Sequence, residues 1–131
     1  MEDNFKLEII SPERIILSDE AKIVTLPSYE GDMSILKNHI SIITLLRPGI
    51  IKVQKKDRNS EQFFVQDGTV EYFNDILVVL SQSAINIKDL SKGFVDNLNK
   101  ATQDKLLDKN ITDHDRYVLS RKLDVLKEIR V

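Results

Sequence analysis

Cysteine and tryptophan are absent from this 131-residue chain, and glycine and proline are scarce, at four and three. Without cysteine there is no disulfide framework, no thiolate metal site and no cysteine nucleophile. A surplus of one charge is missing too. Lys+Arg 19 against Asp+Glu 21 gives a formal net charge of -2, whereas a dedicated nucleic-acid binder carries a basic excess. No apolar run approaches the roughly 18 residues of a membrane span. The opening Met1-Glu2-Asp3-Asn4 lacks the basic start of a signal peptide. These absences predict a soluble protein of a reducing compartment with no nucleic-acid partner. Hydrophobic residues, at 41%, suffice for a packed core, and the length suits one domain or a small domain with an appendage.

What punctuation there is lies unevenly. All three prolines (Pro12, Pro27, Pro48) and three glycines (Gly31, Gly49, Gly68) precede residue 88, and only Gly93 follows it. Residues 1–87 carry a net charge of -4 and residues 88–131 one of +2. Two regions of different grammar are expected, 1–87 and 88–131.

The first region has a period of two. Phe5, Leu7 and Ile9 alternate with Lys6 and Glu8, as in a half-buried strand. Short apolar runs follow at Ala21–Leu26, ended by Pro27, and at Ile40–Leu46, closed by Pro48-Gly49. Ile51 and Val53 lead to a polar loop over Lys56–Ser60, and Phe63 and Val65 lead to Asp67-Gly68, which reads as a tight hairpin using a positive φ at glycine. Val70 and Tyr72, a turn at Asn74-Asp75, Ile76–Leu80, and finally Ile85 and Ile87 complete the series. Short strands with turn signals about every ten residues predict an antiparallel β-sandwich. Its apolar strand faces outnumber what one core needs, which predicts an exposed apolar patch.

In the second region the period lengthens. Ser91 can cap a helix in which Phe94, Leu98 and Ala101 form a stripe up to Leu106. After the polar break Asp108-Lys109-Asn110, Thr112 to Asp115 resembles a capping box, with Asp113 and Asp115 at the positive end of the helix dipole. Leu119, Leu123 and Leu126, widened by Val118, Val125 and Ile129, form the second stripe. Two such helices on a short loop make an antiparallel hairpin, and each is too short to persist unless packed. The fold class expected is therefore α+β: an N-terminal antiparallel β-sandwich, then a C-terminal two-helix hairpin.

Motifs of chemistry are few. The two histidines, His39 and His114, have no partner at metal-ligand spacing, and no phosphate-binding or nucleophile-elbow glycine pattern occurs. Glu30 and Asp32, two apart, would share one face of a strand, but a lone sandwich rarely builds the cleft that paired carboxylates need. His39 is read as a loop histidine bonded to backbone, and Lys55-Lys56 with Arg58 as a solvated cluster. A binding or scaffold module is expected, not an enzyme.

The stretch Leu26-Pro27-Ser28-Tyr29-Glu30-Gly31-Asp32-Met33-Ser34-Ile35-Leu36-Lys37-Asn38-His39, followed by Leu45-Leu46-Arg47-Pro48-Gly49, resembles the epsilon subunit of F-type ATP synthases. Phe64-Val65-Gln66-Asp67-Gly68 and Val79-Leu80-Ser81 are similar to later segments of that family, and the likeness runs along essentially the whole chain. Ser28 stands where many members have Gly, and Lys37-Asn38 where Pro-Gly is frequent.

The resemblance implies a non-catalytic rotor subunit of the central stalk, peripheral on the cytoplasmic side of the inner (plasma) membrane. Its sandwich would bind the gamma subunit and sit on the membrane ring of c subunits, coupling proton-driven rotation to ATP synthesis. Glu30, Gly31, Asp32, Met33 and His39 would meet the ring. The basic last helix, with Arg116, Arg121, Lys122, Lys127 and Arg130, would touch the alpha/beta catalytic subunits transiently and oppose ATP hydrolysis. An ordinary solvated helix face is the alternative for those charges, and a free-standing sandwich carrier module is the alternative for the whole chain. Some members bind ATP through an Ile/Leu-Asp-x-x-Arg-Ala motif. Asp89 is retained here, but Lys92 replaces the Arg and Gly93 the Ala. Lysine lacks the bidentate fork, so no cofactor is expected.

Overall fold

The computed structural model describes residues 3–130. Nine strands precede two helices: β1 (Phe5–Ile10), β2 (Ile15–Ser28), β3 (Gly31–Ile35), β4 (Ile42–Leu46), β5 (Gly49–Lys55), β6 (Ser60–Val65), β7 (Gly68–Phe73), β8 (Ile76–Leu80), β9 (Ile85–Asn86), α1 (Lys92–Leu106) and α2 (Asp113–Glu128). A single 3₁₀ turn, Ile87–Asp89, joins strands to helices.

The strands form a two-layer sandwich. One layer runs β4-β7-β8-β1 and is completed by the first half of β2, while the second half of β2 lies between β3 and β5, followed by β6 and β9. The ladder of β2 on β5 shifts between Ala21 and Ile23, a bulge of the kind that lets one strand serve two layers. Every pairing among the described residues is antiparallel except β1 with β8, which is parallel. Alternation cannot foretell that, because it fixes which face a residue takes and not which way its neighbour runs.

Inward-facing Phe5, Leu7, Ile9, Val24, Leu26, Ile51, Val53, Phe63, Val65, Val70, Tyr72, Leu77 and Val79 fill the sandwich. A second, smaller cluster lies outside it. Phe64, on the outer face of β6, is covered by Leu90, Val95, Val125, Leu126 and Ile129, with Ile50, Ile85, Ile87 and Leu98 at the margin. The hairpin is thus docked on the β5-β6-β9 face, and β6 reads Phe63-Phe64-Val65 because both its faces are buried.

Both helix starts are as the sequence suggests: Ser91 Oγ accepts from Phe94 N–H at 3.0 Å and Thr112 Oγ1 from Asp115 N–H at 3.0 Å. The stripe of α1 differs. Val95 and Thr102 are buried, while Ala101 is exposed and Phe94 is 39% exposed. Leu98 belongs to either stripe, and a shift by one residue turns the helix by about 100°. The true stripe contains a threonine, which is buried without penalty because its hydroxyl donates to Leu98 O at 2.7 Å.

Asp67-Gly68 is also not a hairpin. β6 pairs with β5 and β9, and β7 with β4 and β8, so this dipeptide crosses between layers. Gly68 is required by space: an added Cβ would stand 2.9 Å from Leu80 O and 3.0 Å from Leu46 Cδ1. A two-residue hairpin turn does form at Asn74-Asp75, with φ of 53° and 61°, the mirror-image turn that follows strand twist.

Candidate functional site

Three surfaces emerge: the tip of the β2–β3 hairpin, the loop after β3, and the outer face of β4-β7-β8.

The tip holds most of the residues assigned to a ring contact. Ser28 pairs with Gly31 around Tyr29-Glu30, Glu30 N–H donates to Ser28 Oγ at 3.1 Å, and Gly31 takes φ +117°, which a side chain would strain. Glu30 lies in the turn and Asp32 on β3, so the two carboxylates do not share a strand face as the spacing suggested. Met33 follows, packed on the sandwich core. Beneath the tip, Pro27 and Gly49 touch, since a Cβ on Gly49 would lie 2.4 Å from Pro27 Cβ. The Leu-Pro and Pro-Gly motifs are therefore two sides of one contact.

Arg47, quoted in the sequence without a role, is central here. Its Nη2 lies 3.4 Å from Asp32 Oδ1, and its Nη1 donates to the Tyr117 hydroxyl at 3.0 Å. The bond to Tyr117, with Asp32 adding to it, holds the guanidinium charge more firmly than usual. The ring of Tyr29 stacks on His114 (5.9 Å between centroids, 27°) and leans on Tyr117 at 6.2 Å. Burial, then Tyr117 and Asp67, push the Tyr29 phenol up. No sequence pattern marks these five residues as neighbours, because they come from three separate segments.

His39 lies past the other end of β3, apart from the tip. Its Nδ1 is 2.7 Å from Ile40 O and its ring meets Tyr72 edge-on at 5.8 Å, a backbone-bonded loop histidine. Asn38, where Pro-Gly is frequent, takes φ 68°, so asparagine supplies the left-handed conformation a glycine would. Asp75 pins this loop, accepting from Asn38 N–H at 2.9 Å and the Tyr72 hydroxyl at 2.8 Å. Those two bonds, Asn38 first, lower the Asp75 carboxyl. Burial, and then the bond to Asp75, push Tyr72 up to about 12.

A phenol whose folded pKa exceeds its unfolded value of about 10 stabilises fully below that pH and loses its contribution as pH rises through the folded value. Melting temperature should therefore fall between about pH 10 and about pH 12. Tyr72→Phe should flatten that fall in a series of thermal melts, and an unaltered slope would show that Tyr72 does not control it.

The outer face of β4-β7-β8 is apolar. Ile43 (76% exposed), Leu45 (58%), Phe73 (63%), Ile76 and Leu80 all point to solvent. They share one sheet face: Phe73 faces Ile76 directly, while Thr69 and Glu71 of the central strand β7 stand between Ile43 and Leu45 on β4 and Val78 and Leu80 on β8. The surplus of apolar faces read from the sequence resolves into this patch, on the layer opposite the docked hairpin.

The basic residues assigned to the last helix are divided, and Arg130 lies just beyond the end of α2, whose C-cap is Ile129. Arg116, Lys127 and Arg130 are exposed, whereas Arg121 and Lys122 are half-buried. Burial, and then Lys105, lower the pKa of Lys122, with Asp67 partly offsetting them. Lys55 is not merely solvated. It lies 2.9 Å from Glu61 and 3.2 Å from Asp19, which raise its pKa, Glu61 foremost. Glu61 also accepts from Asn86, whose own side chain caps the 3₁₀ turn. Asp89 lies in that turn and Lys92 begins α1, both exposed. No group of three or more potential metal ligands occurs among the described residues.

Comparison with known proteins agrees with this architecture. Residues 4–87 match the family described as "ATP synthase, Delta/Epsilon chain, beta-sandwich domain". The ATP synthase epsilon chain of Pelagibacter ubique is 42% identical over 130 residues, covering 98% of this chain and 99% of the relative. That of Parvibaculum lavamentivorans is 33% identical, covering 99% and 98%. A chain in the cryo-EM structure of the Euglena gracilis mitochondrial ATP synthase (OSCP/F1/c-ring) shares the fold with a TM-score of 0.75 at 16% identity, covering 97% of this chain and 79% of that one. With a sandwich matched from end to end and relatives matched along nearly their whole length, this chain belongs to the ATP synthase epsilon chain family.

Proposed function

We propose that the chain is a non-catalytic central-stalk subunit, with residues 1–87 binding the gamma subunit and the c-ring and residues 88–131 acting in regulation. The observation that carries the reading is the cluster of exposed apolar side chains Ile43, Leu45, Phe73, Ile76 and Leu80 on one sheet face, a feature that marks interaction surfaces. Gamma is the occupant assigned to it. The docked hairpin covers the opposite layer, so both can be engaged at once. A packed sandwich deforms little and so transmits torque without yielding.

Glu30, Gly31 and Asp32 lie at the β2–β3 turn with Met33 packed on the core behind them. The exposed carboxylates suit the polar loops of a ring of c subunits, where acidic groups would give register more than affinity. His39, at the far end of β3, belongs to this contact only if the ring surface extends along the whole strand. Arg116, Lys127 and Arg130 are available to an acidic surface of the alpha/beta catalytic subunits. Arg121 and Lys122 join them only when the hairpin leaves the sandwich. No cofactor is assigned, and Asp89 with Lys92 offers a triphosphate only monodentate, screened contacts. None of the described helices is long and apolar enough to cross a membrane. A place on the cytoplasmic side of the inner membrane would be held through the complex.

The test is association with cognate gamma. The two chains should co-elute at micromolar concentration, and Ile43→Glu should weaken the pair at least about tenfold, since burying an unpaired carboxylate in an apolar contact costs several kcal/mol. Separate elution of the unaltered chains would overturn the rotor reading and favour a free-standing module.

A further inference from the structure

Two quite different contacts hold the hairpin to the sandwich. At its base, the C-terminal half of α2 and the start of α1 bury Val125, Leu126, Ile129, Leu90 and Val95 on Phe64. At its tip, the first turns of α2 are held by one hydrogen bond, Arg47 to Tyr117, and by the ring of Tyr29 against His114 and Tyr117. Only Leu119 and Thr102 are buried in that half of the hairpin. The charged groups facing the tip are Asp32 on β3, Asp67 in the β6–β7 crossing, and Lys105 and Lys122 on the helices.

We infer that Tyr29, Arg47, His114 and Tyr117 form a latch that opens while the base stays docked, and that Asp32 is its positioning residue. Arg47 has one guanidinium nitrogen on Tyr117 and another on Asp32, so the carboxylate turns the fork towards the helix. Asp32 is 68% exposed at its side chain. A cation arriving from outside can therefore take it from Arg47 and loosen the tip without touching the apolar base. Segments with few buried apolar contacts open first, as units of their own. The arrangement belongs to the chain alone and does not depend on the rotor reading.

Amide hydrogen exchange of the full chain tests this, with Tyr117→Phe, Asp32→Asn and the double variant. Phenylalanine keeps the ring on Tyr29 and deletes only the acceptor. Losing a bond to a charged donor, partly exposed, should speed exchange of the amides from Tyr117 to Ser120 about fivefold. Amides of Val125–Glu128 and of β5 and β6 should not change. Asp32→Asn should speed the same tip amides about twofold, and adding it to Tyr117→Phe should have no further effect, because Asp32 works through Arg47. Unchanged tip exchange in Tyr117→Phe, equal acceleration at the base, or an additive double variant would each overturn the latch.

Discussion

Phe64→Ala is expected to release the helical hairpin and leave the sandwich folded, while Phe63→Ala, one residue earlier, should destabilise the whole domain. Both rings are buried, at 0% and 1% exposed, but successive residues of β6 face opposite ways. Phe63 points into the sandwich core and Phe64 into the cluster under the helices. Truncating a buried phenylalanine costs about 3–5 kcal/mol. That is a large part of the roughly 5–15 kcal/mol that hold an ordinary domain together, and more than a docked hairpin resting on six buried side chains can lose. Protease cleavage confined to residues 88–131 in Phe64→Ala, with unaltered β5 and β6 amide protection, is the expected result. Simultaneous loss of both regions would mean that the two clusters melt as one. In the assembled enzyme the same variant would separate the two proposed roles: coupling through the sandwich should persist, and control of ATP hydrolysis through the hairpin should change.

The second large effect is expected at Gly49. Alanine there would place its Cβ 2.4 Å from Pro27 Cβ and 2.8 Å from Pro27 Cγ, and a proline ring in a buried strand cannot turn aside. Overpacking of this kind costs about 1–3 kcal/mol, more than the 0.4–1 kcal/mol or so gained from a stiffer unfolded chain. The shift would part Pro27 from Arg47, whose N–H donates to Pro27 O at 2.9 Å. It would therefore move the base of the β2–β3 tip as well. Gly93→Ala is the control, since a Cβ there meets nothing within 4 Å and alanine favours the helix by up to about 1 kcal/mol. Urea midpoints should move in opposite directions for the two variants, and a Gly49→Ala protein as stable as the parent would refute the contact argument.

Gly49 also marks what the sequence reveals and what it conceals. Leu26-Pro27 and Pro48-Gly49 stand out as punctuation, yet nothing in their spacing says that they touch. Alternation placed Phe5, Leu7, Ile9, Ile51, Val53 and Phe63 on the core side, and Ser91 and Thr112 announced both helix starts, because these are local effects of period and capping. Facts that depend on which strands become neighbours were out of reach: the parallel β1–β8 pair, the crossing at Asp67-Gly68, and the meeting of Tyr29, Arg47 and Tyr117. The stripe of α1 misled for a different reason. Thr102 counts as polar until its hydroxyl is seen to bond within its own helix. Of the residues that the resemblance assigns to a ring contact, four lie together because β2 and β3 are joined by a two-residue turn, whereas His39 lies past the other end of β3.

β2 ties the two layers together mechanically. This strand of 14 residues is bonded to β1 in one layer and to β3 and β5 in the other, with the changeover near Lys22. A force that slides one layer over the other pulls along β2 from end to end. It stretches many ladder bonds at once instead of peeling them singly, and it crosses the changeover through covalent backbone. The sandwich is in effect stitched by its own longest strand, and the stitch runs to the turn at Tyr29-Glu30.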